Sequence, residues 1–290
     1  MMKPEEQHLG KESQYPQHYT PDVLVAVPRS ENRELYNIKD EKLPFCGVDV
    51  WHAYEFSFLL GKGLPVAGML KIVYACSSKF IVESKSLKLY LNSFNMTRTV
   101  AERETAVQNI CVTIKRDLER LLKTTVQVTF FDQNASVQPF DFVGYPLLED
   151  MVGIDLTIEE YSENPDILRP HPGITSLKIS THLLRSNCKV THQPDWGSVY
   201  ISMEGPTMPD KTTLLKYIVS LRNENHFHEE ICEMIYKRLD DIFSPTDLMV
   251  CCLYTRRGGL DINPVRAKNQ HFRLLNLVQP NKLTERGFRQ

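Results

Sequence analysis

A chain of 290 residues, 42 % apolar and 24 % charged, carries enough apolar side chains for one large or two smaller packed domains, and wholesale disorder is excluded. Its formal net charge of -2 excludes the basic excess on which nucleic-acid binding through phosphates depends, leaving room for a local basic cluster around one small phosphorylated ligand. No apolar run approaches the ~20 residues of a membrane span, the polar N-terminus lacks a signal-peptide core, and seven irregularly spaced cysteines point to free thiols in a reducing, cytoplasmic setting.

Residues 1–22 are polar and are expected to form a flexible tail. Val48, Val50, Tyr54, Phe56, Phe58 and Leu60 share one parity, which predicts a half-buried strand over 48–60. Gly61-Lys62-Gly63-Leu64-Pro65 reads as a hairpin turn leading into a strand over 66–76. Leu87, Tyr90, Leu91 and Phe94 fall on one face of a helix over 83–94. A longer helix from about Val100 keeps the same kind of stripe through Ile110, Ile114, Leu118 and Leu122, and 125–131 is β-branched and aromatic enough for a strand. The stretch 133–172 has little period and reads as a connection. Strands are then predicted near 177–181 and 198–203, helices over 210–221 and 228–243, and a strand pair at 248–254 and after Gly259.

The two halves match at an offset of 127: Glu83 with Asp210, Ser86 with Thr213, Leu87 with Leu214, Tyr90 with Tyr217, Leu91 with Ile218, Ser93 with Ser220 and Glu102 with Glu229. Together with the shared order of elements this predicts a duplicated β-β-α-α-β module.

Four segments could carry chemistry, and each has a plainer reading beside it. Ser186 to Gly197 forms a loop in which Lys189 would favour a Cys188 thiolate and Asp195 could return as a proton donor; alternatively Cys188 is an inert buried thiol and Pro194-Asp195 a turn. Val82 to Lys88 sits at a strand–helix junction where Ser84 and Lys85 could hold phosphate, or where a small polar residue caps the helix. His226 to Glu230 opens a helix, offering carboxylates either to an amide-amine base edge or to the helix dipole. Arg256-Arg257-Gly258-Gly259 is a phosphate clamp or a charged hairpin tip. No metal-ligand spacing accompanies the histidines, and no Gly-x-Gly-x-x-Gly run marks a Rossmann site.

Taken together, the Val82–Phe94 text, the Cys188 to Gly197 loop, Phe227-His228-Glu229 and the run Arg256 to Pro264 resemble the long, two-module form of the 7-cyano-7-deazaguanine reductases. One departure is Val265, where the resemblance leads us to expect an aromatic residue. The resemblance implies an α+β chain of tandem tunnelling-fold modules, antiparallel sheets with paired helices on one face. The division expected is a tail (1–22), a first module (23–135), a connection (136–172) and a second module (173–290). It also implies an NADPH-dependent reduction of the nitrile of 7-cyano-7-deazaguanine in queuosine biosynthesis, by a cytoplasmic homodimer that binds no nucleic acid, membrane or metal. By the same resemblance Cys188 forms a thioimidate and Asp195 is the proton donor. Ile81, Val82, Glu83, His228 and Glu229 would hold the base, and Ser84, Lys85, Arg257 and Gly258 would hold NADPH. Two rivals stay open: a zinc-dependent pterin or GTP-processing enzyme of the same fold, and a non-catalytic purine-binding module.

Overall fold

The computed structural model describes residues 15–153 and 155–290. The first half runs through β1 (Ala26–Pro28), α1 (Ser30–Leu35), β2 (Cys46–Leu60), β3 (Pro65–Ala75), β4 (Phe80–Val82), α2 (Ser84–Asn92), β5 (Arg98–Thr99), α3 (Arg103–Leu122) and β6 (Val126–Phe131). A bridging stretch holds β7 (Val137–Gln138), α4 (Leu148–Met151) and β8 (Pro170–His171). The second half follows with β9 (Ser176–Asn187), β10 (Pro194–Glu204), β11 (Met208–Pro209), α5 (Lys211–Ser220), α6 (His228–Phe243), β12 (Asp247–Tyr254), β13 (Leu260–Ala267) and β14 (Leu283–Thr284).

One sheet passes through both halves in the order β6-β3-β2-β13-β12-β10-β9, and each neighbouring pair is antiparallel. The halves meet where β13 pairs with β2, from Leu260 opposite Ala53 to Ala267 opposite Cys46. Gly47 is required there: a Cβ would come 1.9 Å from the Val265 carbonyl oxygen. The long helices lie on one face of the sheet. Leu87, Tyr90, Ile114 and Leu118 pack on the first half, while Leu214, Tyr217, Ile231 and Ile235 pack on the second. Full burial of each such side chain contributes about 1.5–3 kcal/mol, which holds amphipathic helices too short to persist alone.

The repeat is visible in chemical detail. Glu83 and Asp210 each cap a helix, accepting from the N–H of Ser86 (2.7 Å) and Thr213 (3.0 Å). Ser93 and Ser220, both buried, donate to the carbonyls of Tyr90 (2.6 Å) and Tyr217 (2.7 Å). The two tyrosine hydroxyls then donate to carboxylates, Asp117 at 2.8 Å and Glu163 at 3.2 Å.

Several expectations need correction. The even-numbered residues of β2 do not share a face, because a bulge shifts its register on β3 between Ala53 and Phe56. Val50 therefore packs on the helix-free side, and Phe56 and Phe58 pack under α2 and α3. The Cys188 loop is shorter than 186–197, since β9 continues to Asn187 and β10 starts at Pro194. Of the expected tail, residues 1–14 lie outside the described residues, whereas residues 15–22 do not hang free. Tyr19 packs at a tilt against Phe94 (5.2 Å between centroids) and donates to Asp117 at 2.6 Å. The bridging stretch is also more than a connection: Phe142 stacks on Tyr200 (4.3 Å), covering the helix-free face of the sheet. The last residues cover the same side, where buried Lys71 donates to the Lys282 carbonyl at 2.7 Å.

Candidate active site

Cys188 leaves β9 in a closed hairpin. Its N–H donates to Gln193 O (2.8 Å), and the His192 N–H returns to Cys188 O (3.0 Å). His192 takes the left-handed conformation (φ 54°) that closes this turn, and its ring is held 2.7 Å from the Asn225 amide oxygen. Cys188 is half-buried, as a reactive thiol must be if a ligand is to reach it.

Asp195 is the second residue of β10, opposite Ser186, and only 3 % exposed. His228 stands at the first position of α6 with Nε2 3.4 Å from its carboxylate. The imidazole is oriented by Tyr254, stacked on it at 3.8 Å with planes 5° apart. Arg257 reaches the same carboxylate and the Gln193 side-chain oxygen. Burial alone would raise the Asp195 pKa, but His228 and the Arg257 guanidinium outweigh it and hold the carboxyl below its usual range. Asp195 is therefore a carboxylate at rest and must first collect a proton in order to donate one.

The turn bearing Arg257 closes through its N–H to Leu260 O (2.8 Å), with Gly258 (φ 57°) and Gly259 (φ 82°) in conformations that side chains resist. Its position is tied to the β2 bulge, where the Tyr54 N–H donates to Gly259 O at 2.9 Å. Facing it, the first two turns of α2 present Ser84, Lys85 and Lys88. These three line one cavity of about 610 Å3 with Cys188, Asp195, His228, Arg257 and Gly258. The two halves of the duplication thus complete one site within a single chain.

Four of the expected residues are not on this wall. Ile81 and Val82 are buried in β4, paired with Val27 and Ala26 of β1. The Glu83 carboxylate is buried and accepts from the N–H groups of Lys85 (2.8 Å) and Ser86 (2.7 Å). Glu229 is 2 % exposed, and its Oε1 has no hydrogen-bond partner among the described residues. Burial first, and then the charge of Asp49, push its pKa up to about 8 against the pull of Arg29 and Arg266.

The cation expected to act on the thiol is spent elsewhere, because the Lys189 ammonium sits 3.0 Å from Glu230. Tyr254, Gln193 and Glu230 lay in the segments singled out from the sequence, but their pairings with His228, Arg257 and Lys189 were not foreseen, since each is made only through the tertiary fold. Lys88 lay in the Val82–Phe94 text without an assigned role. Among the described residues no cluster of three or more His, Cys, Asp or Glu is arranged to hold a metal ion.

A half-buried thiol, a buried carboxylate and an oriented imidazole meet here beside a cationic glycine turn, an arrangement suited to thiol chemistry on an anionic ligand. Comparison with known proteins supplies the family. Residues 15–130 match the model described as nitrile reductase, 7-cyano-7-deazaguanine-reductase N-terminal part, and residues 194–272 match that of a QueF-like protein. The NADPH-dependent 7-cyano-7-deazaguanine reductase of Coxiella burnetii (strain CbuK_Q154) is 40 % identical over 273 residues, 94 % of this chain and 95 % of that protein. That of Colwellia psychrerythraea is 40 % identical over 269 residues, covering 90 % and 91 % of the two chains. The chain belongs to the family of NADPH-dependent 7-cyano-7-deazaguanine reductases.

Proposed function

We propose that this chain reduces the nitrile of 7-cyano-7-deazaguanine to the aminomethyl base with two equivalents of NADPH, as a step of queuosine biosynthesis. The observation that carries the reading is the meeting of Cys188, Asp195 and His228 with the Ser84-Lys85 helix start and the Arg257-Gly258 turn in one cavity. A nitrile carbon is poorly polarised and linear, and covalent capture turns it into an imine-like centre that accepts hydride. The Cys188 sulfur adds to that carbon as its thiol proton passes to the Asp195 carboxylate. Asp195 then returns the proton to the nitrogen as the thioimidate forms, so this step needs no outside proton. His228, fixed by Tyr254, steadies Asp195 through the exchange. When bound, NADPH supplies hydride, two hydrides and two further protons accounting for nitrile to amine.

The residues present fit such a cofactor. Lys85, Lys88 and Arg257 supply cations for phosphate, and the missing side chain of Gly258 leaves a backbone approach beside Lys88, whose Nζ would lie 3.0 Å from an added Cβ. Ser84, Lys85, Arg257 and Gly258 are the residues proposed to hold it. Glu83, Glu229 and His228, with backbone at Ile81 and Val82, are proposed to hold the base.

The same reading covers the organisation of the molecule. A first module over 23–135 and a second over 173–290 account for the repeated capping and serine chemistry. A homodimer is favoured because β6 and β9 end the sheet with no further strand beside them among the described residues. Seven free thiols suit a cytoplasmic setting, and no helix among the described residues is long and apolar enough to cross a membrane.

The test mixes purified protein, NADPH and the cyano base. Loss of nicotinamide absorbance with an aminomethyl product by mass is the expected result. An unchanged base sinks the reading.

A further inference from the structure

We propose that Glu230 is the positioning residue of the nucleophile hairpin: it clamps Lys189, and with it the turn carrying Cys188, onto the start of α6 where His228 stands. The inference rests on the reading of Cys188 as nucleophile, but its geometry is independent of any ligand.

Glu230 is 6 % exposed, and both of its carboxylate oxygens are occupied. Oε1 accepts from Lys189 Nζ at 3.0 Å, while Oε2 accepts from the Phe227 N–H at 3.0 Å and His226 Nδ1 at 3.1 Å. One carboxylate thus ties three pieces together: the hairpin, the strand-like segment before α6, and the helix start itself. The Lys189 ammonium also lies 5.5 Å over the Phe227 ring, so its position is defined on two sides.

The backbone on either side of Cys188 is already docked on the same segment. Asn187 N–H donates to Glu224 O (2.8 Å), and His226 N–H donates to Asn187 O (3.1 Å). After the cysteine, His192 meets Asn225. Lys189 and Glu230 are the side-chain tie between these two anchor points. A charge-assisted bond that is largely out of water is stronger than a neutral one and fixes its partners more tightly. Removing the carboxylate leaves the ammonium only the Phe227 ring to hold it inward, a weaker contact than the ion pair. The residue beside the nucleophile then swings toward solvent, and Cys188 moves with it. The pairing also explains why a lysine can neighbour the thiol without serving as its counter-ion.

The experiment measures two rates and one affinity without NADPH. They are thioimidate formation with the cyano base by mass, alkylation of Cys188 by iodoacetamide, and calorimetric binding of the aminomethyl base. Displacement of a reacting group by about 1 Å costs on the order of 100-fold, so Glu230→Gln and Lys189→Met should each slow thioimidate formation by roughly that factor. Because both variants cut one tie, the double variant should be no slower than either single. Lys189→Arg should keep most of the rate, and base affinity should hold within about twofold, since neither residue is proposed to touch the base. Unchanged rates, losses that multiply in the double variant, or a parallel loss of base affinity overturn the proposal. Should Glu230→Gln fail to fold, Lys189→Met against Lys189→Arg decides, as that side chain is 20 % exposed. If the unaltered protein forms no adduct at all, the functional reading fails, and the alkylation rates still judge the clamp.

Discussion

At the scale of single residues, the site separates chemistry from support. Cys188→Ala should abolish both the covalent adduct and turnover, read by intact mass and nicotinamide absorbance. Asp195→Asn removes the proton carrier and should lower turnover by about 10²–10⁴ while base affinity, read by calorimetry, changes little. Glu229 gives a pH signature. The amide-amine edge of a deazaguanine donates hydrogen bonds, so it prefers the ionised carboxylate, yet burial and Asp49 raise the Glu229 pKa to about 8. Base affinity should therefore climb as pH rises toward 8 and flatten above it. Glu229→Gln should remove the slope, and a slope that persists there assigns it to another group. The linked effect on stability has the opposite sense. Between about 4.5 and 8 the folded state holds a proton that the unfolded chain has lost, so this residue makes stability fall across that window.

At the scale of elements, α2 depends on its cap. Glu83→Ala should cost about 1 kcal/mol of stability, seen in urea unfolding, and should weaken base binding in calorimetry, because the same carboxylate is proposed to hold the base. The stripes of α2, α3, α5 and α6 were legible in the sequence because long amphipathic periods depend only on local spacing. The matches of Glu83 with Asp210 and of Ser93 with Ser220 at offset 127 were legible too, whereas the capping by Glu83 and Asp210 was not, the sequence offering a small polar residue instead. The face change in β2 was not, since the parity of Val48 to Leu60 runs unbroken through the bulge. The far end of β9 was hidden by His182, Arg185 and Asn187, polar residues that interrupt the alternation of a strand. The cover formed by Phe140, Phe142 and Tyr145 follows an irregular path, and such paths leave no period. Within the candidate site, Cys188, Asp195, His228 and Arg257 were singled out from the sequence, and they line one cavity. The pairing of Lys189 with Glu230 was not, because 41 residues separate them.

At the scale of the whole molecule, the seam between halves is welded by buried charge. Arg266 bonds Asp49 at 2.8 Å and Glu233 at 2.8 Å, Arg33 also grips Glu233 at 2.8 Å, and Arg29 holds Asp49. Buried pairs add little net stability compared with apolar packing, but removing one partner strands the others. Arg266→Met should thus lower stability by about 3–5 kcal/mol in chemical denaturation. Burial would raise the pKa values of Asp49 and Glu233, but the arginines beside them hold both below the usual range. Their contribution is complete above the ordinary carboxylate pKa near 4 and is lost as pH falls through the lower folded values. Acid unfolding should therefore begin at this seam, with the β2–β13 amides losing hydrogen-exchange protection first.

The cavity straddling that seam has a consequence for descent. A duplicated gene usually leaves two copies, either of which can decay without loss. Here the thiol came to rest in one copy and the cationic helix start in the other, so neither inheritance is a spare. Drift is tolerable on the outer flanks of each copy, but a change along their common border is felt by both, and the pair can evolve only as partners.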